Sequence, residues 1–178
     1  MGMANREVLR ALQGRLADRL QASKSEGFSV SWLAVKAAGL NYLFPLSQSG
    51  EIFPLPALQL VPYTQNWFLG VANLRGGLHG VVDLAAFLDP NVSFSRGYSM
   101  SANASVISFN SELELNCALK VDSLAGLRHA DNFSASHEVA PNAPAFFGHS
   151  YQDQEGQNWQ EVNLQLLARH PQFLSINA

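Results

Sequence analysis

Two segments 80 residues apart carry the same order of residue types. Val82-Asp83-Leu84-Ala85-Ala86-Phe87-Leu88 and Val162-Asn163-Leu164-Gln165-Leu166-Leu167-Ala168 each begin on a β-branched strand former. Each then has an Asp or Asn suited to cap a helix, a leucine, and a short run with helical spacing. A repeat at that distance leaves room for one small unit per copy, closed each time by a strand-to-helix junction.

The intervening texture says what those units are made of. From Phe28 the chain is β-like: Val30-Ser31-Trp32-Leu33-Ala34-Val35 is rich in strand formers. Ala37-Ala38-Gly39 then turns into residues 40–46, an apolar run broken by Pro45. Residues 52–62 carry Pro54, Pro56 and Pro62, which predicts extended chain or an edge strand. A strand is expected at 78–82, with Asp83 capping a helix over 84–88 that Asp89-Pro90-Asn91 ends. The serine-rich residues 93–105 read as a surface loop, and strands follow at 105–109 and 113–121. Residues 130–144, with Pro141 and Pro144, read as irregular; after them comes a hairpin turned at Asp153-Gln154-Glu155-Gly156. The expected fold is mainly β: two lobes of short, barrel-type strands, each closed by a short helix.

Ahead of the β region, residues 5–22 have the pattern of an amphipathic helix. Val8, Leu9, Leu12, Leu16 and Leu20 share one face; Arg6, Arg10, Arg15 and Arg19 with Glu7 and Asp18 cover the other. Ser23-Lys24-Ser25-Glu26-Gly27 is a polar break ending in glycine. The organisation expected is therefore an N-terminal helix and linker over 1–27 and a β domain over 28–178.

Composition narrows the function classes. Charged residues make up only 14% of the chain, against roughly 25% in soluble domains generally. The first segment is +2, from five basic and three acidic residues, so the remainder of a chain of net charge −3 is −5. Such a balance, with a pI near 5.9, offers nucleic acid or anionic lipid no general attraction. A weakly charged surface suits protein partners. Cys117 is the single cysteine, so an intrachain disulfide is excluded, and its apolar neighbours Leu115, Ala118 and Leu119 predict an inert buried thiol. No apolar run reaches the length needed to span a bilayer, and the N-terminus lacks the pattern of a secretory signal. The expectation is a cytoplasmic protein without direct membrane insertion.

Catalytic and metal-binding patterns are missing. His79, His129, His137, His149 and His170 have no i,i+3 or i,i+4 partner, and the chain has no nucleophile elbow, phosphate loop or dinucleotide fingerprint. Gly76-Gly77-Leu78-His79-Gly80 lacks the strand-before, helix-after context of a phosphate site. Glu112 and Glu114, two apart, read as the solvated side of a strand rather than as an acid–base pair. No catalytic residue, cofactor or metal is expected. The competing reading is a small-molecule-binding β-barrel, or an enzyme, with Arg75 and His79 in a cleft.

One segment is more specific. Trp67-Phe68-Leu69-Gly70-Val71-Ala72-Asn73-Leu74-Arg75-Gly76 runs apolar residues directly into Asn-Leu-Arg-Gly, then into Leu78-His79-Gly80-Val81-Val82-Asp83-Leu84. An arginine in such company must pair with a carboxylate or project from a tight turn, and Glu51 is the candidate partner. These residues resemble the CheW-like adaptor family. Its signature is Gly-Val-x-Asn-Leu-Arg-Gly followed by an apolar strand ending in Val-Asp-Leu, with Pro-Leu, an apolar residue and a Glu-Val pair upstream. Here the upstream positions are Pro45-Leu46, Ser49 and Glu51-Ile52. The likeness covers residues 28–178 and is strongest over 42–88. The N-terminal helix and Trp67 most resemble the PilI-type adaptors of type IV pilus chemosensory systems.

The resemblance implies two five-stranded SH3-like barrels sharing a hydrophobic core. It implies a non-catalytic scaffold between a methyl-accepting receptor of the PilJ type and the regulatory domain of a CheA-like histidine kinase, recruited to receptor arrays in chemotaxis or twitching motility. By carry-over, Glu51 and Arg75 sit at the receptor-binding groove, Asn73 and Gly76 shape its turn, and Leu46 lies on an apolar contact edge. Three positions depart from the family pattern: Ser49 for an apolar residue, Gly80 for a proline, and Asn163 for an aspartate. Ser49 is expected to weaken one contact, and Gly80 to loosen the strand after the turn.

Overall fold

The computed structural model describes residues 30–91 and 102–178. The amphipathic segment 5–22, its linker, and most of the serine-rich segment 93–105 lie outside the described residues. The rest forms two sheets. One has six strands in the order β8-β1-β2-β11-β10-β9, the other five in the order β3-β6-β7-β5-β4. The first sheet takes β1 (Ser31–Ala37), β2 (Leu40–Pro45), β8 (Ser123–His129), β9 (Phe133–His137), β10 (Phe147–Asp153) and β11 (Asn158–Val162). The second takes β3 (Ser49–Pro54), β4 (Phe68–Leu74), β5 (Gly77–Asp83), β6 (Ser105–Phe109) and β7 (Cys117–Val121). The whole second sheet is thus inserted between strands of the first.

The repeat is built as the residue pattern implies. Helix α1 (Leu84–Leu88) follows β5, and its cap Asp83 accepts a hydrogen bond from the Ala86 N–H at 3.3 Å. Helix α2 (Leu164–Ala168) follows β11, and Asn163 accepts from the Leu166 N–H at 3.0 Å. The cap backbones match too: the Asp83 N–H donates to the Trp67 carbonyl at 2.8 Å, and that of Asn163 to Phe146 at 2.7 Å. In each lobe the strand before the helix is an antiparallel hairpin partner on one side and a parallel partner on the other: β5 with β7, β11 with β2.

Leu84 and Leu164 are fully buried, and both helices lie in one core shared by the two sheets. That core is aromatic at its centre. Trp67 stands edge-on to Phe87 and stacks on Phe173 of α3 (Pro171–Leu174). Each sheet also wraps a smaller cluster of its own: Trp32, Ala34, Leu43 and Trp159 in the first, Leu69, Leu74, Val81 and Val106 in the second. In the first lobe the buried Asp153 carboxylate accepts from the Trp159 indole at 2.8 Å and the Gln157 N–H at 2.8 Å. Burial works against its charge, but these hydrogen bonds more than compensate and hold its pKa below the usual value.

Two local expectations are corrected. Residues 113–121 are not one strand: a 3-10 turn at Ser111–Leu113 precedes β7, with Asn110 accepting from the Glu112 N–H at 3.0 Å. Glu114 then takes a left-handed φ of 54°, so Glu112 and Glu114 do not share a strand face. Residues 130–144 are not wholly irregular, because they contain β9, whose pairing with β10 gives the first sheet a sixth strand instead of the five expected. Phe133 supplies the reason, packing on Trp32 and Tyr151 inside the sheet.

Cys117 is 5% exposed on β7 and burial pushes its thiol up to about 12. At pH 8 only roughly one molecule in ten thousand would carry a thiolate there. Labelling by a thiol reagent should therefore follow global unfolding and rise in step with a denaturant curve. Rapid modification in native buffer would contradict this placement.

Candidate functional site

Asn73, Leu74, Arg75 and Gly76 form the connection between β4 and β5. Leu74 pairs with Gly77, leaving Arg75 and Gly76 as a two-residue turn. Both turn residues have positive φ, 50° and 82°, the combination of a type I′ hairpin. Glycine takes that geometry freely; arginine does so at a cost, and Asn73 helps hold it by accepting from the Gly76 N–H at 2.7 Å. The motif is thus a hairpin specification that puts Arg75 at the tip.

Glu51 comes from β3, at the other end of the same sheet. The two ends approach because the chain leaving β3 crosses over and pairs with β4. Gln59 and Val71 exchange backbone hydrogen bonds of 2.8 and 2.9 Å. Gly70, with φ 134°, permits this: a Cβ there would collide with the Gln59 carbonyl. Across the resulting mouth the Arg75 Nε donates to Glu51 Oε2 at 2.9 Å, with the side chains 76% and 51% exposed.

Beneath this pair lies a groove of about 370 Å³, lined among others by Phe53, Leu74, His79, Ser108, Leu115 and Asn116. His79 bonds the Gly77 carbonyl through Nδ1 at 3.0 Å. At the groove wall, β3 carries a bulge. Ser49 opposes Phe109 and Ile52 opposes Ile107, so Gly50 and Glu51 together face Ser108. The Ser108 hydroxyl accepts from the Glu51 N–H at 2.8 Å and donates to the Glu51 carbonyl at 3.3 Å. Nothing in the local sequence marks Ser108; its partner is 57 residues away.

The structure therefore gathers Glu51, Asn73, Arg75 and Gly76 at one site, sets His79 beside Arg75 in the groove lining as the competing reading expected, and adds Ser108. Leu46 is exposed in the turn between β2 and β3 and is not part of the groove lining. Ser49 faces inward: it is buried, and its hydroxyl donates to the Pro45 carbonyl at 3.1 Å. The strand at Gly80 is paired without a break. Gly80 pairs on both sides, its N–H donates to the Asn116 carbonyl at 3.0 Å, and the Phe68 ring occupies the space beside its Cα. A proline there would lose that hydrogen bond.

A second polar cluster escaped the sequence reading. Lys120 on β7 is 11% exposed and lies 3.2 Å from Asp83 and 3.0 Å from Asp122. Asp122 also accepts from the Ala38 N–H at 2.8 Å, and its own N–H donates to the Lys36 carbonyl at 2.8 Å. This chain of contacts joins the α1 cap in the second lobe to the β1–β2 hairpin in the first. Burial pulls the Lys120 pKa down, but the two carboxylates outweigh it and the ammonium is held above its ordinary value. Asn163, the counterpart of Asp83, is paired with no cation among the described residues, which fits its being neutral. Its helix gains a different tie: Gln48, between the sheets, accepts from the Leu164 N–H at 2.7 Å.

A model of the CheW-like domain matches residues 31–172. Protein PilI of Pseudomonas aeruginosa is 29% identical over 164 residues, covering 91% of this chain and 88% of that protein. Among solved structures, the scaffolding protein TtCheW from Thermoanaerobacter tengcongensis superposes with a TM-score of 0.60 at 17% identity, covering 76% of this chain and 89% of that one. That likeness concerns the fold.

Proposed function

The chain belongs to the CheW-like domain family, and from that premise we propose that it is a non-catalytic adaptor coupling a methyl-accepting receptor to a CheA-like histidine kinase. The similarity to Protein PilI supports a role in a type IV pilus chemosensory system, and the receptor of this reading is of the PilJ type. The observation that carries the reading is the hairpin that holds Arg75 against Glu51 above an open, partly apolar groove. Such a groove suits the cytoplasmic tip of a receptor's helical hairpin, with Arg75 and Glu51 fixing its rim, Asn73 and Gly76 setting the turn, and Leu46 on a neighbouring apolar edge. The kinase regulatory domain would meet a separate face, lobe to lobe. Individually weak contacts of this kind gain strength in an array. Among the described residues no helix is long and apolar enough to cross a membrane, and the adaptor would act in the cytoplasm, recruited by its receptor.

The competing small-molecule reading needs Arg75, Glu51 and His79 to converge in a dry pocket. Both members of the ion pair are instead largely solvated, which favours a protein-facing rim. Arg75→Ala tests the proposal. An exposed ion pair contributes about 1 kcal/mol or less to stability, so the variant should stay folded, with a melting temperature close to wild type. Capture of a receptor-tip fragment should fall at least about tenfold, as expected for a desolvated charged anchor. Capture at wild-type strength would make Arg75 a structural residue only and remove the site assignment.

A further inference from the structure

We propose that Ser108 is the positioning residue of the groove: its hydroxyl clamps the β3 bulge so that the Glu51 carboxylate faces Arg75. The proposal rests on the groove being the receptor site, but its geometry stands without that.

In a regular antiparallel ladder Glu51 would find its backbone partners on the facing strand. Here two residues, Gly50 and Glu51, oppose the single residue Ser108, and a bulge leaves the extra residue without ladder partners. The Ser108 side chain replaces what the ladder lost. One hydroxyl accepts from the Glu51 N–H at 2.8 Å and donates to the Glu51 carbonyl at 3.3 Å, using its single donor and one of its two acceptor positions on the same residue.

Gly50 completes the device. A Cβ on it would sit 2.5 Å from Ser108 Oγ, 2.7 Å from the Phe109 carbonyl oxygen and 2.9 Å from that of Ser108, so only glycine lets the strands close this far. Ser108 itself is 8% exposed, and water has little access to take over its bonds. The consequence appears at the other end of the Glu51 side chain. A bulge turns side chains away from the direction a flat strand would give them, and here that turn ends 2.9 Å from Arg75 Nε. Ser108 thus acts on the rim through Glu51, without belonging to the ion pair.

Ser108→Ala, in the full chain, removes both bonds and little volume. Two readouts separate positioning from mere stability. In ¹⁵N-resolved NMR the wild type should show a protected Glu51 amide and an Arg75 Nε–H resonance displaced from the position of a free arginine. In the variant the Glu51 amide should lose its protection and the Arg75 Nε–H resonance should move to the free position, while amides in the shared core keep their protection. In binding to an immobilised receptor-tip fragment, Ser108→Ala should weaken affinity about tenfold, the scale of a lost buried hydrogen bond, and should add nothing in an Arg75→Ala background. Should Ser108→Ala fail to fold, Ser108→Cys, similar in shape but a poor hydrogen-bonding group, carries the same expectations.

Unchanged amide exchange at Glu51 with an unmoved Arg75 Nε–H resonance would overturn the proposal, as would fully additive losses in the double variant. If the NMR signature changes while even wild type ignores the receptor fragment, Ser108 still positions the Glu51–Arg75 rim and the receptor reading is what fails.

Discussion

Lys120→Met should destabilise the protein by about 3–5 kcal/mol, the cost of stranding a buried carboxylate without its cation. The carboxylate at risk is Asp83, whose side chain is 5% exposed and also caps α1. Methionine fills most of the lysine's volume, so the loss would reflect charge rather than a cavity. Asp83→Asn in the same background should recover much of the loss: Asn still caps the helix and leaves no charge unpaired. Urea denaturation of the two variants measures both effects. A cost under about 1 kcal/mol for Lys120→Met would show the cluster to be as weak as a surface pair. The pH dependence has a definite sign. The Lys120 pKa is raised above its ordinary 10.5, so its contribution is complete below that value and is lost only as pH rises through the higher folded one. Neutral and mildly alkaline solutions should show no weakening from this group.

Gly70→Ala should cost about 3 kcal/mol, combining strain at a φ of 134° with a backbone collision. The atom in the way is the Gln59 carbonyl oxygen, which belongs to the main chain and cannot rotate aside. Relief requires the Gln59–Val71 bridge to open, and that bridge ties the β3 end of the second sheet to its β4 end. Faster amide exchange at Val71 should therefore accompany the loss of stability, together with a weaker Glu51–Arg75 contact. Gly76→Ala is the control. It also occupies positive φ, 82°, but a Cβ there meets nothing within 4 Å, so strain alone applies and about 1 kcal/mol is expected. Equal effects at the two glycines would mean that backbone closure contributes nothing.

The elements that could be read from the chain are those whose causes are local. Asp83 and Asn163 announce their helices because a cap bonds three residues on, and Leu84 and Leu164 follow in register. The turn at Asn73 and Gly76 rests on an equally local bond, but it was read through the family resemblance, and the β4–β5 hairpin was not read. The Glu51–Arg75 pairing was legible only through family resemblance and the shortage of other carboxylates nearby. What stayed hidden depends on contacts far apart in sequence. Ser108 is one serine among many until the bulge opposite it is seen. Lys120 sits within an otherwise apolar strand, and only folding brings Asp83 beside it. β9, Phe133-Ser134-Ala135-Ser136-His137, has weak strand formers and exists because β10 offers an edge and Trp32 a partner for Phe133.

The insertion of one sheet within the other gives the two lobes different histories during synthesis. All strands of the second sheet have been made once Val121 emerges, whereas the first sheet begins with Ser31 and lacks its central partner until Asn158–Val162 arrives. For most of translation β1 and β2 therefore wait as an open hairpin, with Trp32, Leu43 and Phe44 uncovered, beside a neighbour whose strands are already complete. The strands of the groove-bearing lobe are all made before the chain is finished, while the shared core they lean on, with Phe146, Leu164 and Phe173, is completed last.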